Sequence, residues 1–272
     1  MNYGLYTAYL GMRARMRTLD VIAGNLANSG TTGFKADHLY YRSVEAAEYA
    51  PDYLAGLQAD LSATPQISAG DAQGTPAAER VPQGPGPSRA LGVLTGGMMD
   101  FTTGSMRQTG QPLDVAMAGD GFLVVQTPRG ERYTRNGALT IDAAGQLVTQ
   151  QGDLVVGLEG PITIQPGEVS IGQDGRIASG GQPMGQLKIV RFQDPRTALL
   201  KEGHSLFVAA SGEQPVAAPQ TIVNQGVLES SNVNTVAEMA AMMQNNREFE
   251  SLQRSISLMM SLRKVTSDIG KI

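Results

Sequence analysis

The sequence has no cysteine and no tryptophan among its 272 residues, and only 5% of its residues are aromatic. Without cysteine, the chain can form neither a disulfide nor a thiolate metal site, and it cannot use a thiol nucleophile. The absence fits a reducing compartment and an exported protein equally well, so it leaves the compartment open. No segment reaches the roughly 20 consecutive apolar residues that a membrane-spanning helix requires. We therefore expect no membrane insertion.

Positive charge and histidine are also scarce. The formal net charge is −4, and no long run of Lys or Arg provides the cationic surface that a nucleic acid would need. The two histidines lack the close spacing of a metal site, and no Gly-x-Ser-x-Gly elbow occurs. We expect no catalytic residue, no metal, no cofactor and no small-molecule substrate, so the chain is predicted not to be an enzyme.

The N-terminal stretch does not have the pattern of a secretory signal. Arg13, Arg15 and Arg17 interrupt its apolar residues, and no small-residue cleavage site follows. If the protein leaves the cytoplasm, we expect a dedicated export machine to recognise it without cleavage.

The same stretch predicts a helix with one apolar seam. Its apolar residues alternate in steps of four and three, which places them on one face suited to packing against another helix. The seam residues are Leu5, Tyr9, Met12, Met16, Leu19, Ala23 and Leu26. Asn28, Gly30 and Gly33 should end the helix near residue 28, because Asn and Gly tolerate the left-handed backbone of a helix C-terminus.

The far end of the chain predicts a second helix, about 50 Å long. After Asn234 the chain runs without Pro or Gly almost to its end. Asn232 and Asn234 are candidate N-caps. Asn246 and Gln253 fall on the apolar seam, where they either specify register in an assembly or face solvent. The apolar seam residues are Met239, Met242, Phe249, Ile256 and Met260.

The middle of the chain predicts short strands, since 33 Gly and 14 Pro imply many turns. Clear β-type runs are FLVV (122–125), LTI (139–141) and LKIVRF (187–192). Two segments at an offset of 30 residues, 137–147 and 167–177, share a hairpin pattern that either a duplication or ordinary hairpin chemistry explains.

These patterns predict a mixed, mainly β fold in which coiled-coil-like terminal helices flank a central β-rich domain. We expect residues 1–34 to form an N-terminal assembly helix and turn, and 35–95 an extended or mobile linker region that includes the Pro- and Gly-rich stretch 64–90. Residues 96–230 should form the β-rich domain and 231–272 the C-terminal assembly helix.

The two helical seams predict association. They can cover each other, but flanking apolar residues such as Tyr6, Met243 and Leu252 stay exposed unless other chains pack there. A head-to-tail contact that does not close would build a helical assembly. The turn GTTGFK (30–35) lacks the spacing of a phosphate loop, and we interpret it as a helix-terminating turn.

Four stretches carry a family resemblance. LDVIAGNLANSGTTGFK (19–35) resembles the N-terminal signature LDVxxNNLANxxTxGFK of bacterial flagellar rod and hook proteins, with Gly24 in place of the first asparagine. The other three, in order, are PLDVAMAGDGFLVV (112–125), GERYTRNGALTIDAAGQLVTQQGDLVVG (130–157) and GVLESSNVNTVAEMAAMMQNNREFE (226–250).

The resemblance implies a non-enzymatic subunit of the basal-body rod, in the periplasmic part of the flagellum. In that family the terminal helices pair as an inner coiled-coil layer, the β domain lies outside it, and the flagellar export apparatus secretes the chain without a cleavable signal. The expected partners are further copies, other rod and hook subunits and the export apparatus. Carried over by motif, the residues for assembly and folding are Asn25, Asn28, Thr32, Gly33, Phe34, Ser231, Asn232, Asn234, Arg247, Phe249 and Glu250.

Two questions stay open on the sequence. GPITI (160–164), GQLKIVRF (185–192) and KEGHSLF (201–207) are closer to the proximal-rod branch, which we favour, whereas LDVIAGNLAN and TTGFK are also typical of the distal rod. As an alternative function, the chain could be a secreted glycan- or peptidoglycan-binding module with a helical stalk. Phe122 and Tyr133 would then be candidates for stacking on sugars.

Overall fold

The computed structural model describes residues 3–45, 90–210 and 212–269. A long helix lies near each end of the chain, α1 at Tyr3–Ala27 and α3 at Thr235–Ile269, and a short helix α2 spans Pro195–Ala198. The region between the long helices is mainly β, which confirms a mainly β central domain with a helix near each end. Within the described residues, no helix is long and apolar enough to cross a membrane.

The described residues divide into two compact units. One contains residues 3–18, 39–45, 90–96 and 245–269, and the other contains 19–38, 97–210 and 212–244. Both long helices contribute to each unit. The strands are β1 Asp37–Glu45, β2 Ala90–Met99, β3 Met106–Gln108, β4 Val115–Ala118, β5 Phe122–Thr127, β6 Gly130–Thr134, β7 Leu139–Ile141, β8 Leu147–Thr149, β9 Leu154–Gly157, β10 Gly160–Pro161, β11 Val169–Ile171, β12 Arg176–Ser179, β13 Gln182–Gln186, β14 Ile189–Arg191, β15 Leu199–Gly203, β16 Leu206–Ala209, β17 Val216–Ala217, β18 Ile222–Gln225 and β19 Val227–Glu229.

The largest sheet that the described residues form has ten strands. Its main path runs β15-β16-β6-β5-β9-β8-β7, and β10, β14 and β17 are attached at its side. A three-stranded sheet contains β11, β12 and β13, and the pairs β1-β2, β18-β4 and β19-β3 form smaller sheets. The pairings among strands β3 to β19 are antiparallel, as expected for strands joined by short turns.

Strand β5 supplies both halves of the core. Because successive side chains of a strand point to opposite faces, Leu123 and Val125 enter an aliphatic cluster, while Phe122 and Val124 enter a cluster rich in aromatic rings. All four side chains are buried, so the run FLVV is apolar without alternation. The two clusters occupy the two faces of this strand.

The aromatic cluster decides against the predicted sugar platform. Phe122 and Tyr133 are both buried, with the Phe122 ring 5.9 Å from Phe207 and the Tyr133 ring 5.0 Å from Phe192. Edge-to-face packing of this kind stabilises a core. Stacking on a sugar would require an open ring face, so the two residues proposed for glycan binding are wrong for that role.

The two segments offset by 30 residues fold as hairpins with the same register. In the first, Leu139 pairs with Thr149 and Ile141 with Leu147. In the second, the positions 30 residues later pair in the same way: Val169 with Ser179 and Ile171 with Ile177. The turn glycines Gly145 and Gly175 have φ of 81° and 79°, which favours glycine. The hairpin prediction is confirmed.

The end of α1 is confirmed near residue 28, but part of the expected mechanism is wrong. Of the three residues proposed to adopt a left-handed backbone, only Gly33 does so, with φ of 66°. Asn28 acts through its side chain instead, since its Nδ2 donates to the carbonyl of Gly24 at 2.9 Å. Ser29 Oγ donates to the carbonyl of Leu26 at 2.8 Å. Side chains therefore satisfy carbonyls of the last turn.

The start of α3 has one of the two predicted caps. The Oδ1 atom of Asn234 accepts the N–H of Ala237 at 3.1 Å, as an N-cap does. Asn232 is not a cap, because its side chain bonds other segments of the chain.

The predicted linker region 35–95 contains β1 and most of β2, which pair as a two-stranded sheet. Residues 46–89, which include nearly all of the 64–90 stretch, lie outside the described residues.

Candidate functional site: the junction of the two terminal motifs

The N-terminal and C-terminal motifs meet around Asn25, which is 2% exposed. Its side chain binds the backbone of Asp37 twice, since Nδ2 donates to the carbonyl and Oδ1 accepts the N–H, both at 2.9 Å. The same Nδ2 donates to Oε1 of Glu238, in the first turn of α3, at 3.1 Å. One amide therefore joins the last turn of α1, the start of β1 and the first turn of α3. We call this set the junction, together with the contacts of residues 33–36, 100–104 and 229–232 described next.

Asn232 ties three segments together in the same way. Its Oδ1 accepts the N–H of Ala36 at 2.8 Å, and its Nδ2 donates to the carbonyl of Asp100 at 2.8 Å. The Nδ2 also lies 3.1 Å from Oγ1 of Thr102. Next to it, the N–H of Asp100 donates to the carbonyl of Ala36 at 2.8 Å. These bonds hold the segment after β2 against both motifs.

A buried ion pair lies at the centre of the junction. The Nζ atom of Lys35 is 2.7 Å from Oε1 of Glu229, and it also donates to the carbonyl of Thr102 at 2.7 Å. The N–H of Gly104 donates to the same Glu229 oxygen at 3.0 Å. Burial lowers the pKa of the Lys35 ammonium, and the nearby positive Arg135 adds to this, while Glu229 opposes it.

Arg135 is the second cation beside Glu229. Its NH1 atom lies 3.6 Å from Oε2 of Glu229 and its guanidinium carbon 4.8 Å from the centre of the Phe122 ring. Within the described part of the chain, Oε2 of Glu229 and Nε of Arg135 make no hydrogen bond. The buried cluster thus contains two cations and one carboxylate, so each cation depends on Glu229.

Two glycines allow the segments to approach this closely. At Gly33 an added Cβ would lie 2.5 Å from the carbonyl carbon of Arg135, and the residue has φ of 66°. At Gly104 an added Cβ would overlap the carbonyl oxygen of Ser230. Backbone contacts at these distances exclude any side chain. The N–H of Gly33 uses the proximity to donate to the carbonyl of Glu229 at 2.8 Å.

Lys201, on β15, attaches the N-terminal motif to the large sheet. Its Nζ lies 4.0 Å from the centre of the Phe34 ring, donates to the carbonyl of Lys35 at 2.9 Å and pairs with Oδ2 of Asp37 at 2.7 Å. Ser205 Oγ donates to the carbonyl of Thr32 at 3.2 Å. The motif is therefore bonded to the β strands as well as to the second motif.

The junction consists of hydrogen bonds and ion pairs that join distant segments of the chain. Among its described contacts, no nucleophilic side chain is paired with a base. Among the described residues, no three His, Asp or Glu side chains group closely enough to hold a metal ion. The bonds join distant parts of one chain, so their direct effect is to fix the helix ends on the β strands.

The predicted α1 seam lies beside the face that is buried in this single chain. The buried α1 side chains are Ala14, Ile22 and Asn25. At about 100° per residue they lie roughly a third of a turn away from the predicted seam. Of that seam, Met16 and Ala23 are exposed and Met12, Leu19 and Leu26 are half-buried, while the side chains of Leu5 and Tyr9 fall outside the described residues.

Three of the five apolar residues of the predicted α3 seam lie on the inward face of this helix. The residues turned inward follow steps of four and three: Glu238, Met242, Asn245, Phe249, Leu252 and Ile256. Met239 and Met260 are exposed, as are Asn246 and Gln253, so these two polar residues face solvent in the single chain. Asn245 is a buried polar residue on the inner face, and its Nδ2 donates to the carbonyl of Arg15 at 2.8 Å. Arg15 also pairs with Glu248 at 2.7 Å.

Three family models match in order along the chain. The flagella basal body rod protein model matches residues 5–35, the flagellar hook protein FlgE/F/G D1 domain 116–179, and the flagellar basal body rod FlgEFG protein C-terminal model 224–268. Similarity to the flagellar basal-body rod protein FlgF of Caulobacter vibrioides is 33% identity over all of both chains. The chain belongs to the flagellar basal-body rod protein family.

Two further relatives show the range of this rod family. The FlgF protein of Escherichia coli is 35% identical over 94% of both chains, and the FlgG protein of Borreliella burgdorferi is 29% identical, also over 94% of both. The chain is thus a structural subunit of the flagellar basal-body rod, a component of bacterial motility. The junction joins the ends of the first and last matched regions of this rod subunit.

Sequence reasoning about the rod motifs missed several junction residues. Lys35 stands in the N-terminal motif but is not among the predicted assembly residues, and no sequence pattern predicts a role for Glu229 or Arg135. A charged residue that interrupts an apolar pattern next to a motif is the signal that could have indicated Glu229. Gly104 offered no local signal, because its requirement comes from the close approach of Ser230.

Proposed function

We propose that this rod subunit assembles through the exposed apolar side chains of its terminal helices. The observation that carries the proposal is the outer face of α3, where Met239 is 48% and Met243 59% exposed although the opposite face of the helix is turned inward. Exposed methionines in a row on a helix favour cover by another chain. Neighbouring copies and homologous rod and hook subunits would supply it.

The junction has a separate role in this proposal. Asn25, Gly33, Phe34 and Asn232 bond within the chain, so they would fix the helices to the β domain and transmit force between them. Asn28 and Asn234 end and start the helices, and Thr32 and Ser231 complete the turns beside them. Arg247 and Glu250 are exposed on α3, and we assign them to contacts with neighbouring chains.

We also propose that the chain is of the FlgF type, in line with the proximal-rod prediction from its sequence. The similarity to the FlgF protein of Caulobacter vibrioides is 33% identity, against 30% for the FlgG protein of the same organism. Recognition by the flagellar export apparatus without cleavage, a periplasmic position and a coiled-coil pairing of the helices are further parts of the proposal. In its assembled state we assign the subunit no substrate or cofactor and no catalytic role.

Deletion of residues 236–268 in the bacterium that carries this gene tests whether the subunit needs α3 to assemble into the rod. Motility should be lost, and the shortened protein should be absent from purified basal bodies. Normal motility of this strain would refute assembly through the helices.

A single substitution gives a sharper test. Met243→Asp places a charge on the exposed face, where it costs little in the free chain but much when a neighbour covers it. We expect loss of motility with an unchanged melting temperature of the purified protein. Ser251→Asp, on an exposed polar position of the same helix, is the matched control and should stay motile.

A further inference from the structure

The sequence contains one Asn-Gly pair, Asn136 and Gly137, in the turn between β6 and β7. In such a pair the side-chain amide reacts readily with the backbone, because glycine has no Cβ to obstruct the attack and adopts conformations that other residues avoid. We propose that Asn136 is a site of spontaneous deamidation, reactive in the unfolded chain and protected in the folded one, and that isoaspartate formed there prevents the junction from closing.

The reaction requires only the chain itself and water. The backbone nitrogen of Gly137 attacks Cγ of Asn136, the bond from Cγ to Nδ2 breaks, and ammonia leaves with the proton of the Gly137 N–H. In the resulting cyclic succinimide, both carbonyl carbons of the former asparagine are bonded to the same nitrogen. Water then opens the ring. Opening at Cγ gives aspartate, whereas opening at the backbone carbonyl gives isoaspartate, in which the chain continues through Cγ and gains a methylene.

Hydrogen bonds hold this pair on both sides in the folded chain. Oδ1 of Asn136 accepts the N–H of Ala138 at 3.1 Å, and its own N–H donates to Oγ1 of Thr134 at 3.0 Å. The carbonyl of Gly137, which is buried, accepts the N–H of Val115 at 3.0 Å. Ring closure requires the side chain and backbone of Asn136 to rotate until Cγ contacts the Gly137 nitrogen, and these bonds restrict both rotations. We therefore expect attack only when this turn opens.

The backbone around the pair has no room for an added methylene. A Cβ placed on Gly137 would overlap the carbonyl oxygen of Val115. A Cβ placed on Gly33, in the junction, would lie 2.5 Å from the backbone nitrogen of Asn136. Close-packed segments cannot accept an extra atom unless a neighbour moves. Because isoaspartate lengthens the chain at residue 136, we expect it to displace Gly33 or Val115 and to keep the junction open.

Aspartate, the other product, leaves the length of the backbone unchanged. Its Oδ1 could still accept the N–H of Ala138, and residue 136 is only half-buried, so the new charge keeps some access to water. We expect Asn136→Asp to fold as the unmodified chain does. This variant therefore separates the effect of the charge from the effect of the longer backbone.

Mass spectrometry of the purified full-length protein tests the site. One sample stays folded and a second is unfolded in urea, in the same mildly alkaline buffer, and conversion of each asparagine to the acid is followed over time. We expect Asn136 to react about tenfold or more slowly in the folded sample. Asn224 is the internal control, because the side chain of Gln225 after it obstructs the attack, and it should react far more slowly than Asn136 in urea.

Two results of this comparison would overturn the proposal. Equal rates at Asn136 in the folded and unfolded samples would show that the fold gives no protection. Reaction in urea no faster at Asn136 than at Asn224 would show that the Asn-Gly pair is not a preferred site.

Refolding of the urea-treated sample tests the consequence for the junction. After the urea is diluted, folded and unfolded chains are separated by size-exclusion chromatography, and isoaspartate is measured with an enzyme that methylates it. Isoaspartate at residue 136 should be found in the fraction that fails to fold, while Asn136→Asp should refold with the yield of the unmodified chain. Isoaspartate recovered in folded protein in its original proportion would overturn the consequence, as would a failure of Asn136→Asp to fold, which would assign the defect to charge. Neither result depends on how the helices assemble, so the proposed function is tested separately.

Discussion

Lys35 and Glu229 lie 194 positions apart in the chain, yet Nζ of the lysine is 2.7 Å from Oε1 of the glutamate and both side chains are at most 1% exposed. Removing two charges from water is costly, and their attraction offsets the cost only when other hydrogen bonds complete the site. Here the carbonyl of Thr102 and the N–H of Gly104 do so. The pair therefore links the two terminal motifs, and each partner depends on the other.

Breaking this pair from either side should be strongly destabilising. Lys35→Met leaves Arg135 as the cation beside the buried Glu229 carboxylate, and Glu229→Gln removes the buried carboxylate that lies next to both cations. We expect each change to lower the free energy of unfolding by about 3–5 kcal/mol. Urea denaturation of the purified protein would measure it.

The double variant Lys35→Met with Glu229→Gln completes a thermodynamic cycle. Its loss should be smaller than the sum of the two single losses, because the second change removes a group that the first already left unpaired. Additive losses would mean that the two side chains stabilise the fold independently.

The same lysine predicts a pH dependence in the alkaline range. Burial holds the pKa of Lys35 below its ordinary value of 10.5, so the folded chain releases this proton at a lower pH than the unfolded chain. Between the lowered pKa and 10.5 the unfolded state binds more protons, and stability contributed by Lys35 rises with pH. The difference in unfolding free energy between wild type and Lys35→Met should therefore widen as pH rises toward 10.5. A difference independent of pH would contradict the lowered pKa.

Two glycines of the same turn should respond very differently to alanine. Gly33→Ala places a Cβ 2.5 Å from the backbone of Arg135 at a φ of 66°, and we expect a loss of about 3 kcal/mol or more. Gly30→Ala is the matched control, since its Cβ would meet nothing within 4 Å, and it should change stability by about 0.5 kcal/mol or less. Thermal unfolding of both variants would compare them. Equal losses would show that the close approach at residue 33 has no energetic consequence.

The sequence was sufficient for features that depend on local patterns. The end of α1, the Asn234 cap and the two hairpins follow from spacing and turn chemistry, which act within a few residues. Strand β7 at Leu139–Ile141 coincides with the predicted run LTI. Family motifs added the order of the regions along the chain.

Features that depend on long-range contacts could not be predicted in this way. Apolar residues alone predict the seam of α1, but the buried face includes Asn25, whose partners lie in other segments. The sequence predicts Phe122 as a possible sugar platform, but β5 is buried on both faces, and that burial depends on the strands around it. Gly30 and Gly33 look alike in sequence, and only the position of Arg135 distinguishes them.

Asn232 and Asn234 stand two residues apart in one motif and should differ in the cost of their loss. Asn232→Ala removes the acceptor for the N–H of Ala36 and the donor to the carbonyl of Asp100, which leaves backbone groups of the junction unpaired. Unpaired groups of this kind cost about 1–3 kcal/mol each, so we expect a loss of about 2–4 kcal/mol. Asn234→Ala removes only an exposed N-cap, worth about 1 kcal/mol. Hydrogen exchange would then separate the two: the first change should expose amides on both sides of residues 36 and 100, and the second only the first turn of α3. Protection lost in the α3 turn alone for both variants would refute the assignment of Asn232 to the junction.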